Sequence, residues 1–217
     1  MRDPITFTDR LRISFAWLIN PTVELLDKLG VTPNMLTIVG FLGISVGAWF
    51  AAQGNFSMAG LMVLLMTPFD ALDGALARRR GESQEFGAFV DSVSDRYGEL
   101  VVYGGLLWWA SLNNNHWLAV ASYLGAFGSV LVSYIRARAQ SVGLEAKVGL
   151  LSRVERYFIL GPTLLFNIPL IGVSIIAIGA NLTAIQRIWH VRSEARKLPA
   201  AKAAAPGKRG VARKPRK

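Results

Sequence analysis

The sequence contains no cysteine and only two histidines, His116 and His190, among its 217 residues. Disulfides, thiolate nucleophiles and cysteine-bound metals are therefore excluded, and a histidine-rich metal site is not expected. Charged residues are also scarce, at 18%, where soluble domains carry about 25%. Hydrophobic residues make up 52% and the mean hydropathy is +0.37. This composition disfavours both an ordinary soluble domain and a disordered chain, and it predicts an integral membrane protein.

The apolar residues are collected in long segments. No Asp, Glu, Lys or Arg occurs in residues 35–53, 57–69, 100–112, 117–135 and 157–185. Because one transmembrane helix takes about 20 residues, we interpret the last segment as a hairpin of two spans that folds at residues 167–169. A single tilted span followed by a re-entrant piece is the alternative. The hairpin gives an all-α integral membrane fold with six transmembrane helices.

All 24 lysines and arginines lie on one side of this layout. They occur before the first span, between spans two and three, between spans four and five, and after span six, whereas the three other loops have none. The positive-inside rule then predicts a multi-pass protein of the cell membrane with both termini in the cytoplasm. Trp49, Trp108, Trp109 and Trp117 fall at the predicted outer ends, as an interfacial aromatic belt would.

The chain divides into three parts. Residues 1–30 read as an amphipathic juxtamembrane helix, bent at Pro21, on the cytoplasmic membrane surface; a soluble helix packed on the rest is the alternative. Residues 31–197 form the six-span domain, which begins with Thr32 as N-cap and Pro33 as first helical residue. Residues 198–217 are a basic cytoplasmic tail without acidic residues, expected to be disordered. The tail either contacts anionic lipid or serves solubility and topology.

Four aspartates lie in or next to the second and third spans. Asp70 and Asp73 are three residues apart, and Asp91 and Asp95 are four apart, so each pair shares one helix face. A short loop joins the two helices, which lets the faces converge. Four carboxylates in a low-dielectric site need compensation, and the oxygen-only donor set suits Mg²⁺ or Mn²⁺. A proton or cation pathway is one alternative reading of these aspartates, and a set of interfacial carboxylates is another.

Two glycines and an arginine accompany the aspartates. Gly74 and Gly87 permit the close approach of a bulky ligand, and Arg78 offers its guanidinium to a phosphate. Metal ions, glycines and an arginine together predict a site for a diphosphate.

Read as one string, residues 70–78 and 87–95 resemble the signature of the CDP-alcohol phosphotransferase family, D-x-x-D-G-x-x-A-R-x8-G-x3-D-x3-D, at every fixed position. The resemblance implies two metal ions, Mg²⁺ or Mn²⁺, that hold the diphosphate of a CDP-linked lipid such as CDP-diacylglycerol. It implies Asp70, Asp73, Asp91 and Asp95 as metal ligands, with Asp95 also the general base. The implied CDP-lipid contacts are Asn34, Thr37, Gly74, Arg78, Gln84 and Gly87. The family resemblance also suggests a homodimer.

The loop after span four carries more cations than topology requires, which favours an acceptor with its own phosphate. Residues 133–139, Ser-Tyr-Ile-Arg-Ala-Arg-Ala, resemble the branch of the family that makes phosphatidylinositol phosphate or its archaeal ether-lipid counterpart. By this resemblance the acceptor phosphate pocket would be lined by Ser133, Arg136, Arg138, Arg153, Arg156 and Arg187. The alternative for each arginine is a topology residue in a positively charged loop.

The expected function is the transfer of a phosphatidyl group from CDP-diacylglycerol to a phosphorylated polyol, inositol phosphate first, with release of CMP. The alternative within the family is phosphatidylglycerophosphate synthesis from glycerol 3-phosphate. Those enzymes more often continue the signature as Leu-Asp-Pro-x-x-Asp-Lys, whereas this chain has Val90-Asp91-Ser92-Val93-Ser94-Asp95-Arg96. A cation or proton transporter and a non-catalytic membrane scaffold are the alternatives from other classes. No nucleic-acid partner is expected.

Overall fold

A computed structural model describes residues 16–81 and 84–197, without the side chains of Ala16, Leu18, Gln84 and Glu85. This part of the chain is helical throughout, apart from short turns and one longer loop at residues 142–152. Its helices are α1 (Ala16–Lys28), α2 (Pro33–Ala52), α3 (Phe56–Arg80), α4 (Gln84–Leu112), α5 (His116–Ser141), α6 (Arg153–Leu165) and α7 (Pro169–Lys197). The expected basic tail at 198–217 and the stretch before residue 16 lie outside the described residues.

Side-chain caps start α2, α3 and α5, and the cap of α2 is the one that the sequence predicts. Thr32 caps α2 by accepting a hydrogen bond from the backbone N–H of Met35, and Pro33 follows as the first helical residue. Asn55 and Asn115 cap α3 and α5 in the same way. These caps satisfy N–H groups that have no partner within the helix, so each turn between spans is defined locally.

The hairpin predicted for residues 157–185 is present. Helix α6 ends at Leu165, Asn167 adopts a left-handed conformation with φ of 61°, and α7 begins at Pro169. The α3 and α6 backbones approach closely next to this turn, since a Cβ on Gly60 would collide with the backbone of Leu165. The Phe56 and Trp109 rings also meet, with centroids 4.8 Å apart. The loops that lack Lys and Arg therefore share one end of the bundle.

The number of clearly apolar spans differs from the expected six. Among the described residues, four helices are long and apolar enough to cross a membrane: α2, α3, α5 and α7. Helix α6 has 13 residues, about 20 Å at 1.5 Å per residue, which is shorter than the hydrocarbon core. Helix α4 is long enough, but it carries Asp91, Asp95, Arg96 and Glu99 before its long uncharged stretch. The expectation rested on uncharged stretches, whereas α4 begins with charged residues and α6 ends at Leu165 after only 13 residues.

Helix α1 packs against the ends of α2 and α3. Val23 is buried together with Leu36 and Leu76 in a small hydrophobic cluster, and Asp27 forms ion pairs with Arg79 and Arg80. Pro21 lies inside the helix, which continues on both sides of it, since a proline in the second turn removes only one hydrogen bond.

The opposite, exposed face of α1 is mixed, since it carries the Glu24–Lys28 ion pair beside large apolar side chains. Trp17 and Leu25 are 74% and 58% exposed, and Leu29, directly after the helix, is 68% exposed. Helix α1 therefore has features of both interpretations of the sequence, since one face packs on the protein and the other presents exposed Trp17 and Leu25 to the surroundings.

Candidate active site

A cavity of about 550 Å³ opens where α1, α2, α3, α4 and α6 meet. Thr22 lines it from α1 and Thr37 from α2, while Arg153 and Tyr157 line it from α6. The four aspartates of the signature also line this cavity: Asp70, Asp73, Asp91 and Asp95. The structure thus brings the two acidic pairs into one site, as their helical spacing predicts.

Three of the aspartates form a compact carboxylate cluster. Asp70, Asp91 and Asp95 each offer an oxygen atom, and these atoms all lie within 4.8 Å of one another. Three partly buried carboxylates at this separation repel one another, and a divalent cation with oxygen ligands is the compensation that chemistry offers. The donor set therefore fits Mg²⁺ or Mn²⁺.

Asp73 stands apart from that cluster, although it lines the same cavity. Its side chain is buried, and Oδ2 accepts a hydrogen bond from the Thr37 hydroxyl at 2.7 Å. The resemblance implies all four aspartates as metal ligands, with Asp95 also the general base; in this structure Asp73 is oriented by its hydrogen bond to α2. Thr37, which the resemblance assigns to the CDP-lipid, holds a signature carboxylate in this structure.

Arg153 binds to the carboxylate cluster itself. Its guanidinium forms ion pairs with Asp70 and with Asp95, and the side chain is 19% exposed. The sequence reasoning assigned Arg153 to the acceptor phosphate and did not foresee this contact, because 58 to 83 residues separate the partners along the chain. The contact places a cation at the carboxylate expected to act as general base.

Helix α6 begins at Arg153 for a local reason. Ser152 precedes the helix, and its backbone N–H donates to the carboxylate of Glu155 at 2.6 Å. A glutamate at the third helical position that accepts from the N-cap N–H in this way fixes the first turn of a helix. The first side chain of α6 is therefore held in the cavity.

The residues expected to contact the CDP-lipid differ in their surroundings and in whether they line the cavity. A Cβ on Gly74 would lie 3.3 Å from NH1 of Arg78, so the missing side chain makes room for that guanidinium. A Cβ on Gly87 would meet nothing within 4 Å, which leaves open space there. Asn34 is exposed and does not line the cavity. The side chain of Gln84 lies outside the described part of the structure.

Three of the residues expected at the acceptor phosphate lie in the C-terminal part of α5, which ends at Ser141. Arg136 and Arg138 are exposed, and Arg138 donates to Ser141 at 3.3 Å. Ser133 accepts a hydrogen bond at 3.1 Å from Arg96, which directly follows Asp95 on α4. Arg96 was not singled out in the sequence, although its position beside the last signature aspartate could have indicated it.

Arg156 and Arg187 are placed differently from the expectation. Arg156 is buried against Glu99, with Nε 2.5 Å from Oε1 and NH2 2.9 Å from Oε2. Arg187 is also buried, and it donates to two backbone carbonyls, those of Val132 at 2.5 Å and Val148 at 2.9 Å. As they stand, both arginines hold protein groups rather than line an open pocket, because these buried acceptors would otherwise lack a partner.

Hydrogen bonds connect the loop at residues 142–152 to α7. Besides the bond from Arg187, the backbone N–H groups of Leu150 and Leu151 donate to the hydroxyl of Thr183 at 3.1 and 3.0 Å. Gly149 adopts a φ of 129° and leaves no room for a Cβ next to Thr183. The loop thus delivers the chain to Ser152 in a defined position.

The comparison with known proteins identifies the family. The family model of the CDP-alcohol phosphatidyltransferases matches residues 30–190. The chain belongs to the CDP-alcohol phosphatidyltransferase family, and it is therefore a transferase. This membership supports neither the transporter nor the scaffold interpretation of the aspartates.

Curated relatives cover most of the chain. A phosphatidylinositol phosphate synthase of Mycobacteroides abscessus is 35% identical over 191 residues, with 84% of this chain and 87% of the relative covered. An archaetidylinositol phosphate synthase of Pyrococcus horikoshii is 36% identical over 173 residues, covering 77% and 87%. An uncharacterized protein of Aquifex aeolicus is 34% identical over 186 residues, covering 85% and 94%.

Solved structures agree with the fold. A phosphatidylinositol phosphate synthase of Mycobacterium tuberculosis in complex with manganese and citrate matches with a TM-score of 0.75 at 29% identity, covering 81% of this chain and 89% of that one. The same enzyme with CDP-DAG bound matches with a TM-score of 0.74 at 31% identity, covering 80% and 92%.

Proposed function

We propose that this protein transfers the phosphatidyl group of CDP-diacylglycerol to a hydroxyl of inositol phosphate. The hydroxyl oxygen forms a bond to the phosphorus that carries the diacylglycerol, and the bond from that phosphorus to the oxygen of CMP breaks. The hydroxyl proton passes to Asp95, so the products are phosphatidylinositol phosphate and CMP. The observation that carries this proposal is the convergence of the signature aspartates in one cavity with Arg153.

Divalent metal ions would be held by Asp70, Asp91 and Asp95, with Asp73 beside them. Bound there, Mg²⁺ or Mn²⁺ would neutralise charge on the diphosphate and on the departing CMP. Asp95 can serve as general base only if it comes within hydrogen-bond distance of the acceptor hydroxyl, and its place on the cavity wall permits this. The relative solved with manganese supports the choice of metal.

The acceptor would enter from the side of Arg153. That guanidinium can exchange a carboxylate for a phosphate oxygen, since arginine binds both in the same bidentate geometry. Arg136 and Arg138 add exposed positive charge on the cytoplasmic side, where a water-soluble anion arrives. A free alcohol such as serine would gain nothing from these cations. The names of the relatives from Mycobacteroides and Pyrococcus favour an inositol phosphate acceptor.

The test is a purified-enzyme assay with CDP-diacylglycerol and a panel of acceptors: inositol 1-phosphate, glycerol 3-phosphate, inositol and serine. We expect CMP release and lipid product with inositol 1-phosphate, and none with inositol or serine. Turnover with glycerol 3-phosphate alone would establish the phosphatidylglycerophosphate alternative. Turnover only with the unphosphorylated acceptors would refute the role of the arginines. The matching CDP-archaeol substrate in a second panel separates diacyl from ether-lipid specificity.

The same proposal includes the membrane topology. We infer six membrane-embedded helices, α2 to α7, with both termini and the active site on the cytoplasmic side. The distribution of all 24 basic residues supports this orientation. Helices α4 and α6 qualify less well than the other four, α4 by its charges and α6 by its length, and their charges meet one another inside the bundle. The homodimer suggested by the family resemblance stays a prediction.

A further inference from the structure

One buried ion pair lies outside the carboxylate cluster. Glu99 on α4 and Arg156 on α6 make a two-point contact at 2.5 and 2.9 Å, and their side chains are only 3% and 1% exposed. Bringing two charges into such an interior costs free energy, so a buried pair is a weak contributor to stability. A contribution to stability therefore does not explain why the Glu99–Arg156 pair is present.

The pair repeats the contact of the active site one helical turn deeper. Glu99 follows Asp95 by four residues on α4, and Arg156 follows Arg153 by three on α6. Residues three or four apart share a helix face. Two arginines of α6 thus reach carboxylates on the same face of α4: Arg153 reaches Asp95 within the cavity, and Arg156 reaches Glu99 behind it.

These contacts take the place of close backbone packing. In the part of the chain that the structure describes, α4 and α6 make few direct backbone contacts, whereas α2 packs tightly on α4 and α3 packs on α6. Long side chains therefore bridge the two helices. A planar guanidinium with two parallel hydrogen bonds fixes both distance and register, which a single apolar contact does not.

Arg156 also contacts the chain directly before α6. Its NH1 donates to the carbonyl of Leu151 at 3.4 Å, just before the helix. All three guanidinium nitrogens thus contact protein acceptors, two on Glu99 and one on the loop. Binding an acceptor phosphate with Arg156 would break these contacts and leave Glu99 buried without a partner, which is costly.

The geometry points to Glu99 and Arg156 as a positioning pair, not as substrate ligands. The pair sets the register of α6 against α4, and this register aims Arg153 at Asp70 and Asp95. The same register would aim Arg153 at the acceptor phosphate; this part of the inference rests on the transfer reaction proposed above. The pair therefore acts on acceptor binding through Arg153.

The test compares four variants with the wild type in the phosphatidyl-transfer assay. They are Glu99→Gln, Arg156→Gln, the apolar double variant Glu99→Met with Arg156→Met, and Glu194→Gln as control. The control removes a carboxylate from an exposed ion pair with Lys197, at 2.6 Å, far along α7. The measured quantities are the KM for inositol 1-phosphate, the KM for CDP-diacylglycerol, kcat and the midpoint of thermal unfolding.

We expect the apolar double variant to unfold near the wild-type temperature, since such replacements of buried pairs are often neutral. Its KM for inositol 1-phosphate should nevertheless rise about tenfold or more, because a small misplacement of a binding group weakens the productive geometry. The KM for CDP-diacylglycerol should stay unchanged. The two single variants, where they fold, should raise the acceptor KM at least as much, and the control should match the wild type.

Wild-type kinetics in the stable double variant would overturn the positioning role. A raised acceptor KM in Arg156→Gln with an unchanged one in Glu99→Gln would instead make Arg156 a direct phosphate ligand. If the wild type prefers glycerol 3-phosphate, the proposed acceptor is wrong. The same comparison, run with the preferred acceptor, still tests the pair. A poorly folded single variant leaves the decision to the double variant.

Discussion

At the scale of single residues, Asp95 and Asp70 lie in one cluster but have different expected roles. Asp95→Asn should lower CMP release by about a hundredfold to ten-thousandfold, the usual contribution of a general base, and added Mg²⁺ or Mn²⁺ should not restore it. Asp70→Asn should lower activity and raise the metal concentration required. A metal titration of CMP release separates the two. Retained transfer by the Asp95 variant would remove that residue from the role of base.

Arg153 competes with a metal ion for the same carboxylates, because its guanidinium pairs with both Asp70 and Asp95. We expect Arg153→Gln to bind Mn²⁺ about tenfold more tightly or better, since one unit charge at contact distance is worth on the order of 1 kcal/mol or more. The same variant should lose acceptor binding. Mn²⁺ affinity, measured by electron paramagnetic resonance without substrates, checks this independently of activity. Unchanged or weaker Mn²⁺ binding would contradict the competition.

At the scale of helices, glycines decide how closely the backbones approach. A Cβ on Gly105 would collide with the backbone carbonyl of Ala48 on α2, whereas a Cβ on the adjacent Gly104 would meet nothing within 4 Å. Gly105→Ala should therefore destabilise the protein by about 1–3 kcal/mol through overpacking. Gly104→Ala should be neutral or stabilising by about 0.5–1 kcal/mol through helix propensity. Thermal unfolding in one detergent compares the matched pair, and equal effects would contradict the close approach.

Asp27 holds helix α1 against α3 through its ion pairs with Arg79 and Arg80, and these ion pairs depend on pH. The hydrogen bond from Arg80, aided by the charge of Arg79, holds the pKa of the Asp27 carboxyl below its ordinary value of 3.8. A lowered pKa means that the contact contributes fully above the unfolded-state pKa and is lost as pH falls through the lower, folded-state value.

We therefore expect α1 to stay protected from proteolysis at neutral pH and to become more susceptible only below about pH 4, near the reference pKa of aspartate. Limited proteolysis with an acid-tolerant protease measures this. Asp27→Asn should show the increased susceptibility already at neutral pH, while Glu24→Gln, which removes only the exposed pair with Lys28, serves as control. Equal protection in both variants at neutral pH would show that apolar packing alone holds α1.

At the scale of the whole molecule, the polar helices are placed where their charges can meet. Helices α4 and α6 are less suited than α2, α3, α5 and α7 to cross a membrane. They are joined by the Arg153–Asp95 and Arg156–Glu99 ion pairs. The more apolar α2, α3, α5 and α7 carry exposed aliphatic and aromatic side chains suited to lipid. Charged groups in a membrane protein are tolerated when they face the interior and pair with one another.

The absence of cysteine makes the topology directly testable. Asn114 lies in a loop without basic residues, and Glu145 lies in the loop between α5 and α6; both are exposed. In intact cells, a membrane-impermeant maleimide should label Asn114→Cys and spare Glu145→Cys, while both should react after permeabilisation. The positive-inside distribution gives this direction. The reverse labelling pattern would place the active site on the outer face.

Local information in the sequence determined much of this protein. Caps at Thr32, Asn55 and Asn115 define helix starts, uncharged stretches predict the apolar helices, and helical spacing puts each aspartate pair on one face. All of these depend on residues a few positions apart. The signature string and its resemblance then indicated the family, which the family model confirms over residues 30–190.

Only the tertiary structure decided which distant groups meet. Asp73 pairs with Thr37, Arg153 with two aspartates, and Arg156 with Glu99, across 36 to 83 residues of chain. In the sequence every arginine near a positively charged loop looks equally available to a phosphate, because the charge pattern gives the sign of each side chain but not its partner. A guanidinium buried in the bundle must find a carboxylate or a carbonyl. The packing of α4, α6 and α7 determines which one it finds.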